Sequence, residues 1–282
     1  MKKITIAIVI LFSFHYSLSS VVAQTDVDLG SEVGARIALS VDKKLARGLH
    51  ISLEEEMRFD NNFAAFDRFH TTLGLSYKVN DHLKLGVGYA LINRYNSDSS
   101  TFKSARHRLM LDATGSLRFG NWRLSLKERL QATYRTGDMN LYQNPRTALT
   151  LKSRLKLQYK GFRRVEPYAY AELRNTLNAP VISATYNNAT DKWGYCQDGT
   201  FYSKGAAGWF LEGFDGVYVN RMRFAVGAEY RLTRRSSVDV SLMADRSWDK
   251  VVDANAEGTK LKSYTREAGF TGWLAVAYCY SF

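Results

Sequence analysis

Proline, which interrupts strands, is scarce: three residues in 282, against 20 glycines. Cysteine is nearly absent. Cys196 and Cys279 lie far apart and fit neither a disulfide framework nor paired metal-ligand spacing, so they read as two inert thiols. Long hydrophobic runs are missing as well. After the N-terminus no stretch of about 18 apolar residues occurs, so no transmembrane helix is encoded. Charged residues at 23% also exclude a helical membrane protein. No Gly-rich phosphate loop, HExxH or CxxC is present. No cofactor, metal or catalytic set is therefore expected. Acid is the minority charge, 27 residues against 39 basic ones, for a formal net charge of +12. Such a balance points to nucleic acid, anionic lipid or an anion path.

The N-terminus has the form of a secretory signal peptide. Lys2 and Lys3 form a positive start, Ile4 to Phe14 an apolar core, and Val21-Val22-Ala23 a cleavage site ending in a small residue. Residues 1–23 are read as the leader, with the mature chain beginning near Gln24. No cysteine follows the cleavage site, so a lipoprotein anchor is not expected. Export argues against nucleic acid as the partner of the positive charge.

From Ser31 onward apolar and polar residues alternate with the period of two that marks strands. Leu83, Leu85, Val87, Tyr89 and Leu91 share a face opposite Lys84, Gly86, Gly88 and Ala90. Trp122, Leu124, Leu126, Leu130, Ala132 and Tyr134 oppose Arg123, Ser125, Lys127, Arg129 and Arg135. Leu149, Leu151, Leu155, Leu157 and Tyr159 oppose Lys152, Arg154, Lys156 and Lys160. Tight turns such as Gly120-Asn121 alternate with longer polar loops. Strands of about ten or more residues can cross a bilayer, whereas soluble sandwiches use about five or six. The charged faces are too polar for a soluble core. They line a lumen, and the apolar faces meet lipid.

The fold class is therefore all-β: a transmembrane, antiparallel, up-and-down β-barrel over residues 24–282. A long extracellular loop is expected near 175–216. Eleven alternating segments can be counted, an odd number. A closed antiparallel barrel with both ends periplasmic needs an even one. About twelve strands are thus expected, with residues 24–30 supplying a short extra one, or ten if Val165–Arg174 does not span. The last strand puts Leu274, Val276, Tyr278, Tyr280 and Phe282 on the lipid side and Ala275, Ala277, Cys279 and Ser281 inward. Its expected neighbour is an N-terminal strand running the opposite way. Phe282, at the periplasmic end, is read as the signal for the barrel-assembly machinery. The small inward residues should leave the lumen widest along that seam, or filled from across.

Hairpin register places Asp112 opposite Arg129, Arg154 opposite Glu172, Lys160 opposite Glu166 and Arg231 opposite Asp239. Glu56 lies close to Arg68 and His70. Cations still outnumber acids. Arg106, Arg108, Arg118, Arg123, Arg135, Lys152, Lys156, Arg221 and Arg223 have no evident partner, and a lumen so lined prefers anions. Arg106, Arg108, Arg135, Arg221 and Arg223 lie toward the outer mouth, where they can meet anionic sugars or lipopolysaccharide phosphates. The inward charges form either a static plug or a conducting pore.

Two histidines are candidate catalysts. His50 and Ser52 share a face, but it points inward at the periplasmic end. His107 faces lipid near the outer rim, with no serine, aspartate or glutamate beside it. A lipid hydrolase is therefore the weaker reading, and a surface adhesin using the long loop is a third. Glu55 and Glu128 fall on the lipid face, each six residues from its strand's start. A carboxylate in hydrocarbon is costly. A bulge turning each inward, or a place at the outer interface, is expected ahead of cover by a partner protein.

The run Leu53-Glu54-Glu55-Glu56-Met57-Arg58-Phe59-Asp60, the segment Leu83 to Asn93-Arg94-Tyr95, and Trp122 to Arg135 with Lys127-Glu128-Arg129 resemble an uncharacterised family of outer-membrane barrels, domain of unknown function 2490. The resemblance covers essentially the whole mature chain. It implies a barrel exported to the outer membrane of a Gram-negative bacterium, and brings no reaction or catalytic residues. The function read from the chain is a small structural barrel or narrow, porin-like pore. Its expected partners are outer-membrane lipid, lipopolysaccharide, the assembly machinery and small anionic solutes.

Overall fold

The computed structural model describes residues 26–96, 99–182, 185–187, 192–197, 200–203, 211–258 and 261–282. The leader assigned to residues 1–23 lies outside them. The described residues form strands and no helix. In chain order the strands are β1 (Asp26–Ala46), β2 (Leu49–Asp60), β3 (Ala65–Lys78), β4 (Leu83–Asn96), β5 (Thr101–Phe102), β6 (Arg106–Phe119), β7 (Trp122–Arg135), β8 (Thr147–Tyr159), β9 (Val165–Val181), β10 (Thr185–Asn187), β11 (Lys192–Gln197), β12 (Thr200–Ser203), β13 (Gly213–Arg231), β14 (Ser236–Ala254) and β15 (Leu261–Ser281). Twelve of them form one sheet in the order β3-β2-β1-β15-β14-β13-β9-β8-β7-β6-β4-β5, and pairing of β3 with β4 closes it into a barrel. Eleven strands make the barrel wall. β5 is a two-residue extra that folds back on the end of β4. β10, β11 and β12 form a separate small sheet within the connection 182–212, which is shorter than the stretch 175–216 read from composition.

The seam is where the structure departs from parity. The last strand does pair with the first, but in parallel, from Asp26 opposite Arg266 to Asp42 opposite Ser281. No separate short strand covers the start. Asp26 to Gly30 belongs to β1, one strand of 21 residues, with a register shift between Asp28 and Ser31 at Gly30, whose φ is +79°. The physical reason is plain. The connections of a parallel pair carry as many backbone hydrogen bonds as those of an antiparallel one, only slanted. Closure therefore leaves no open edge with an odd count either. Phe282 completes the seam, its backbone N–H donating to the Asp42 carbonyl at 2.9 Å.

Ser40 and Cys279 are register partners across this seam, with Oγ and Sγ 3.7 Å apart. Ser40→Cys, made in a Cys196→Ser background, is expected to form a disulfide with Cys279 on mild oxidation. The unfolded, non-reduced chain should then run faster on a denaturing gel. An unshifted band would mean the two strands are not neighbours in this register.

The barrel is inside-out relative to a soluble protein. Outward Leu242 is 60% exposed and Phe224 58%, while inward Asp245 and Arg223 are 5% and 4% exposed. Aromatics gather at both rims of the apolar band. At the short-turn end Trp122 packs on Tyr159 and Tyr159 on Phe162, with ring centroids 4.9 and 5.0 Å apart. At the other end Phe59, Phe66, Phe102 and Tyr95 form a cluster. The wall is uneven in height. β9, β13, β14, β15 and β1 are consecutive around the barrel and have 17, 19, 19, 21 and 21 residues, against 12 to 14 in the other six. Their extra length lies at the long-loop end. At about 3.3 Å per residue it lengthens the strands of that side by roughly 20 Å.

Candidate functional site: a charged lumen under a strap

Eleven strands fall between the barrels of about eight, which side chains fill, and those of about sixteen, which leave a water channel. How the inward side chains lie therefore decides what the lumen can do. On the tall side they lie along the wall. Asp245 on β14 is the hub. It accepts two hydrogen bonds from Arg223, both at 2.5 Å, with Arg221 at 3.8 Å and Arg36 at 3.9 Å. Arg36 reaches it from β1 by crossing β15, resting on the Trp273 ring at 4.3 Å. Arg221 also donates to Glu172 at 2.9 Å, and Arg154 donates to Glu172 at 2.6 and 2.9 Å. A continuous chain of ion pairs thus runs from β8 to β1.

Below it, toward the short turns, two tyrosines lie flat against the wall. Tyr168 on β9 crosses β13 to donate to Asp239 on β14 at 2.7 Å, and Tyr170 reaches Met243 in the same way. They cross at the smallest inward residues of β13, Gly227 and Ala225, their register partners. A Cβ at Gly227 would sit 2.7 Å from Ser241 Cβ and 2.8 Å from Tyr168 Cζ. Gly227→Ala should therefore cost about 1–3 kcal/mol as overpacking, readable as a lower denaturation midpoint in detergent. Cations cover the other ring faces, Lys156 over Tyr168 at 3.6 Å and Arg154 over Tyr170 at 4.5 Å.

The wall made by β6, β7 and β8 is different. Its inward side carries ten cations (Arg106, Arg108, Arg118, Arg123, Lys127, Arg129, Arg135, Lys152, Arg154 and Lys156) and one carboxylate, Asp112. Asp112 accepts two hydrogen bonds from Arg129, at 2.6 and 2.7 Å, and pairs with Lys127 at 2.9 Å. Among the described residues Arg108 has only the Thr133 hydroxyl at 3.0 Å, and Arg123 only the Ser116 hydroxyl at 3.2 Å. Beside this wall, β3 and β4 present Gly74, Gly86, Gly88 and Ala90 inward, and neighbouring side chains close over them: Ala90 is 2% exposed and Met110 on β6 5%.

Of the pairs expected from hairpin register, the structure brings together Asp112 with Arg129, Arg154 with Glu172, and Lys160 with Glu166 at 2.7 Å. Arg231 and Asp239 are not brought together. Arg231 goes to Glu166 on the other neighbour, and Tyr168 takes Asp239. Arg221 and Arg223, expected to be free, are both ion-paired, Arg221 with two carboxylates and Arg223 with Asp245. Glu56 lies 3.7 Å from His70, but its close partner is Arg58 at 2.5 Å, while Arg68 turns to Asp67. His50 Nδ1 lies 2.9 Å from Asp42, and His107 Nδ1 lies 2.6 Å from the Tyr89 hydroxyl on the lipid side. Neither histidine is hydrogen-bonded to a serine among the described residues.

Glu55 and Glu128 stay on the lipid face. Neither is at a bulge: the ladders run unshifted through both. Each carboxylate instead accepts a hydroxyl from its register partner on the next strand, Thr71 at 2.9 Å and Ser153 at 2.6 Å. Partial satisfaction by a neighbour replaces the expected inward turn.

The outer end carries a feature the sequence did not signal. The connection 136–146 leaves β7, bypasses β9 and β13, and docks on the end of β14. Asn140 Nδ2 donates to the carbonyls of Ala254 and Asn255 at 3.1 and 2.9 Å. Gln143 Nε2 donates to Asp253 at 2.7 Å and to the Ala254 carbonyl at 3.1 Å. Arg146 closes the base, donating to the carbonyls of Arg135 and Gly137. The landing point is firm, since Val252 and Ala254 are buried against Ile182, Leu211 and Tyr264. The connection forms a strap across the outer opening.

An apolar outer band with aromatic rims, around a lumen lined by ion pairs, defines a membrane-spanning β-barrel. The chain belongs to the family described as "Protein of unknown function (DUF2490)", whose model matches residues 37–255. No curated protein matches the chain. Among solved structures it is similar to the outer-membrane expressed OmpT of Vibrio cholerae, at 9% identity and a TM-score of 0.34. That alignment covers 78% of this chain and 61% of the other, so the chain spans less than two thirds of that protein's length.

Proposed function

We propose that the protein is a narrow outer-membrane pore that prefers anions. The carrying observation is the β6–β8 wall, with ten inward cations and one carboxylate, facing a tall wall whose charges are paired and flat. Cations in excess of counter-charges along one side attract anions, and several weak stations let an ion leave as readily as it enters. The remaining parts of the reading follow from it. Residues 1–23 act as the export leader, and the strand ending at Phe282 is the part the assembly machinery receives. The long loops and the tall wall stand outside among lipopolysaccharide. Small anionic solutes pass under the strap to the periplasm.

Cys279 supplies the test. It faces the lumen at the short-turn end. Refolded Cys196→Ser protein in planar bilayers is expected to give discrete current steps, and a bulky thiol reagent should shrink them. A silent bilayer would overturn the reading, and so would steps unaffected by a reagent shown to have reacted.

A further inference from the structure

The register of β6 against β7 sets arginine directly opposite arginine at the outer mouth, Arg106 against Arg135. Like charges opposite each other destabilise a sheet. This pair is not relieved by carboxylates. Neither guanidinium has an ion pair among the described residues, and Arg135 Nε is buried with no hydrogen-bond partner. Arg94, at the same end of adjacent β4, adds a third guanidinium. The nearby Asp67, on β3, is shared by Arg94 and Arg68. The arrangement has donors to spare and lacks an acceptor.

We propose that Arg106 and Arg135 form a binding site for a soluble oxyanion of the phosphate class, at the foot of the strap. Two guanidiniums on paired strands present planar forks that match a tetrahedral oxyanion with several acceptor oxygens. Chloride offers no such geometry. Both side chains stand on the lumen face, so the ligand arrives in water and not from the lipid. The site names the solute class for the pore described above, and it rests on that reading for its water-filled approach.

Thermal unfolding of the detergent-solubilised barrel tests it without any current. At equal ionic strength, inorganic phosphate should raise the native Tm above its value in chloride. The shift is roughly 5 °C at about a hundred times Kd. Arg106→Gln/Arg135→Gln should lose the shift. In chloride it should unfold no earlier than the native protein, because the substitution removes repulsion. Arg234→Gln, in an exposed turn at the opposite end, should keep the shift. No phosphate-specific rise in the native protein, or an equal rise in the double variant, would overturn the site. If lipid A phosphates in the micelle reproduce the effect and free phosphate does not, the soluble-ligand assignment falls. A silent bilayer with the shift intact would sink only the pore, and a conducting barrel without the shift only this site.

Discussion

Asp245→Asn is expected to be the most damaging single conservative change in the barrel. Asp245 receives both donors of Arg223 and faces Arg221 and Arg36, and all but Arg221 are less than about a tenth exposed. Removing the charge leaves three guanidiniums around a neutral amide. Breaking a buried pair by removing one partner typically costs about 3–5 kcal/mol, because the other charge stays behind uncompensated. The loss should appear as a lower denaturant midpoint in detergent, with an unchanged slope. Pairing it with Arg223→Gln should recover part of the loss, since the stranded charge is then gone. A loss below about 1 kcal/mol would place these arginines in bulk-like water, contrary to the packed wall described here.

Releasing the strap should have the largest effect on transport. Asn140→Ala/Gln143→Ala removes four hydrogen bonds to the β14–β15 end. Each contributes about 0.5–1.5 kcal/mol net, so docking weakens by about 2–6 kcal/mol. The base of the strap, held by Arg146, remains. The wall below it keeps its ladder, so the barrel still folds, with a midpoint of global unfolding lowered by no more than this docking loss. Single-channel records should show a larger step or a longer open time, most clearly for solutes larger than chloride. Unchanged records would mean the strap does not lie in the path.

These expectations rest on features of unequal legibility. The barrel could be read from alternation, because a bilayer and a lumen impose opposite demands on the two faces of every strand. Asp112–Arg129 and Arg154–Glu172 could be read too, because a tight turn fixes hairpin register and register fixes the inward partner. Arg231 shows the limit. Glu229 lies between Asp239 and Glu166 in the register of both neighbours, so three carboxylates compete for few cations. Tyr168 decides the outcome by crossing Gly227. The strap was not legible, since Asn140 and Gln143 meet partners more than a hundred residues away. The parallel seam was half legible. The odd count stood in the sequence, and only the rule of even closure argued it away. Glu55 and Glu128 stayed outward because Thr71 and Ser153 each supply a hydroxyl that the strand's own pattern does not reveal.

The reversal potential under a potassium chloride gradient reads the lumen's preference directly. It should lie toward the chloride equilibrium potential. Lys152→Glu and Arg118→Glu/Arg123→Glu, which alter the cation-rich wall and spare the Asp245 hub, should move it toward potassium. A native channel that reverses toward potassium, or charge reversals that leave the potential where it was, would mean that the cations of β6–β8 pack the barrel and do not select what passes through it.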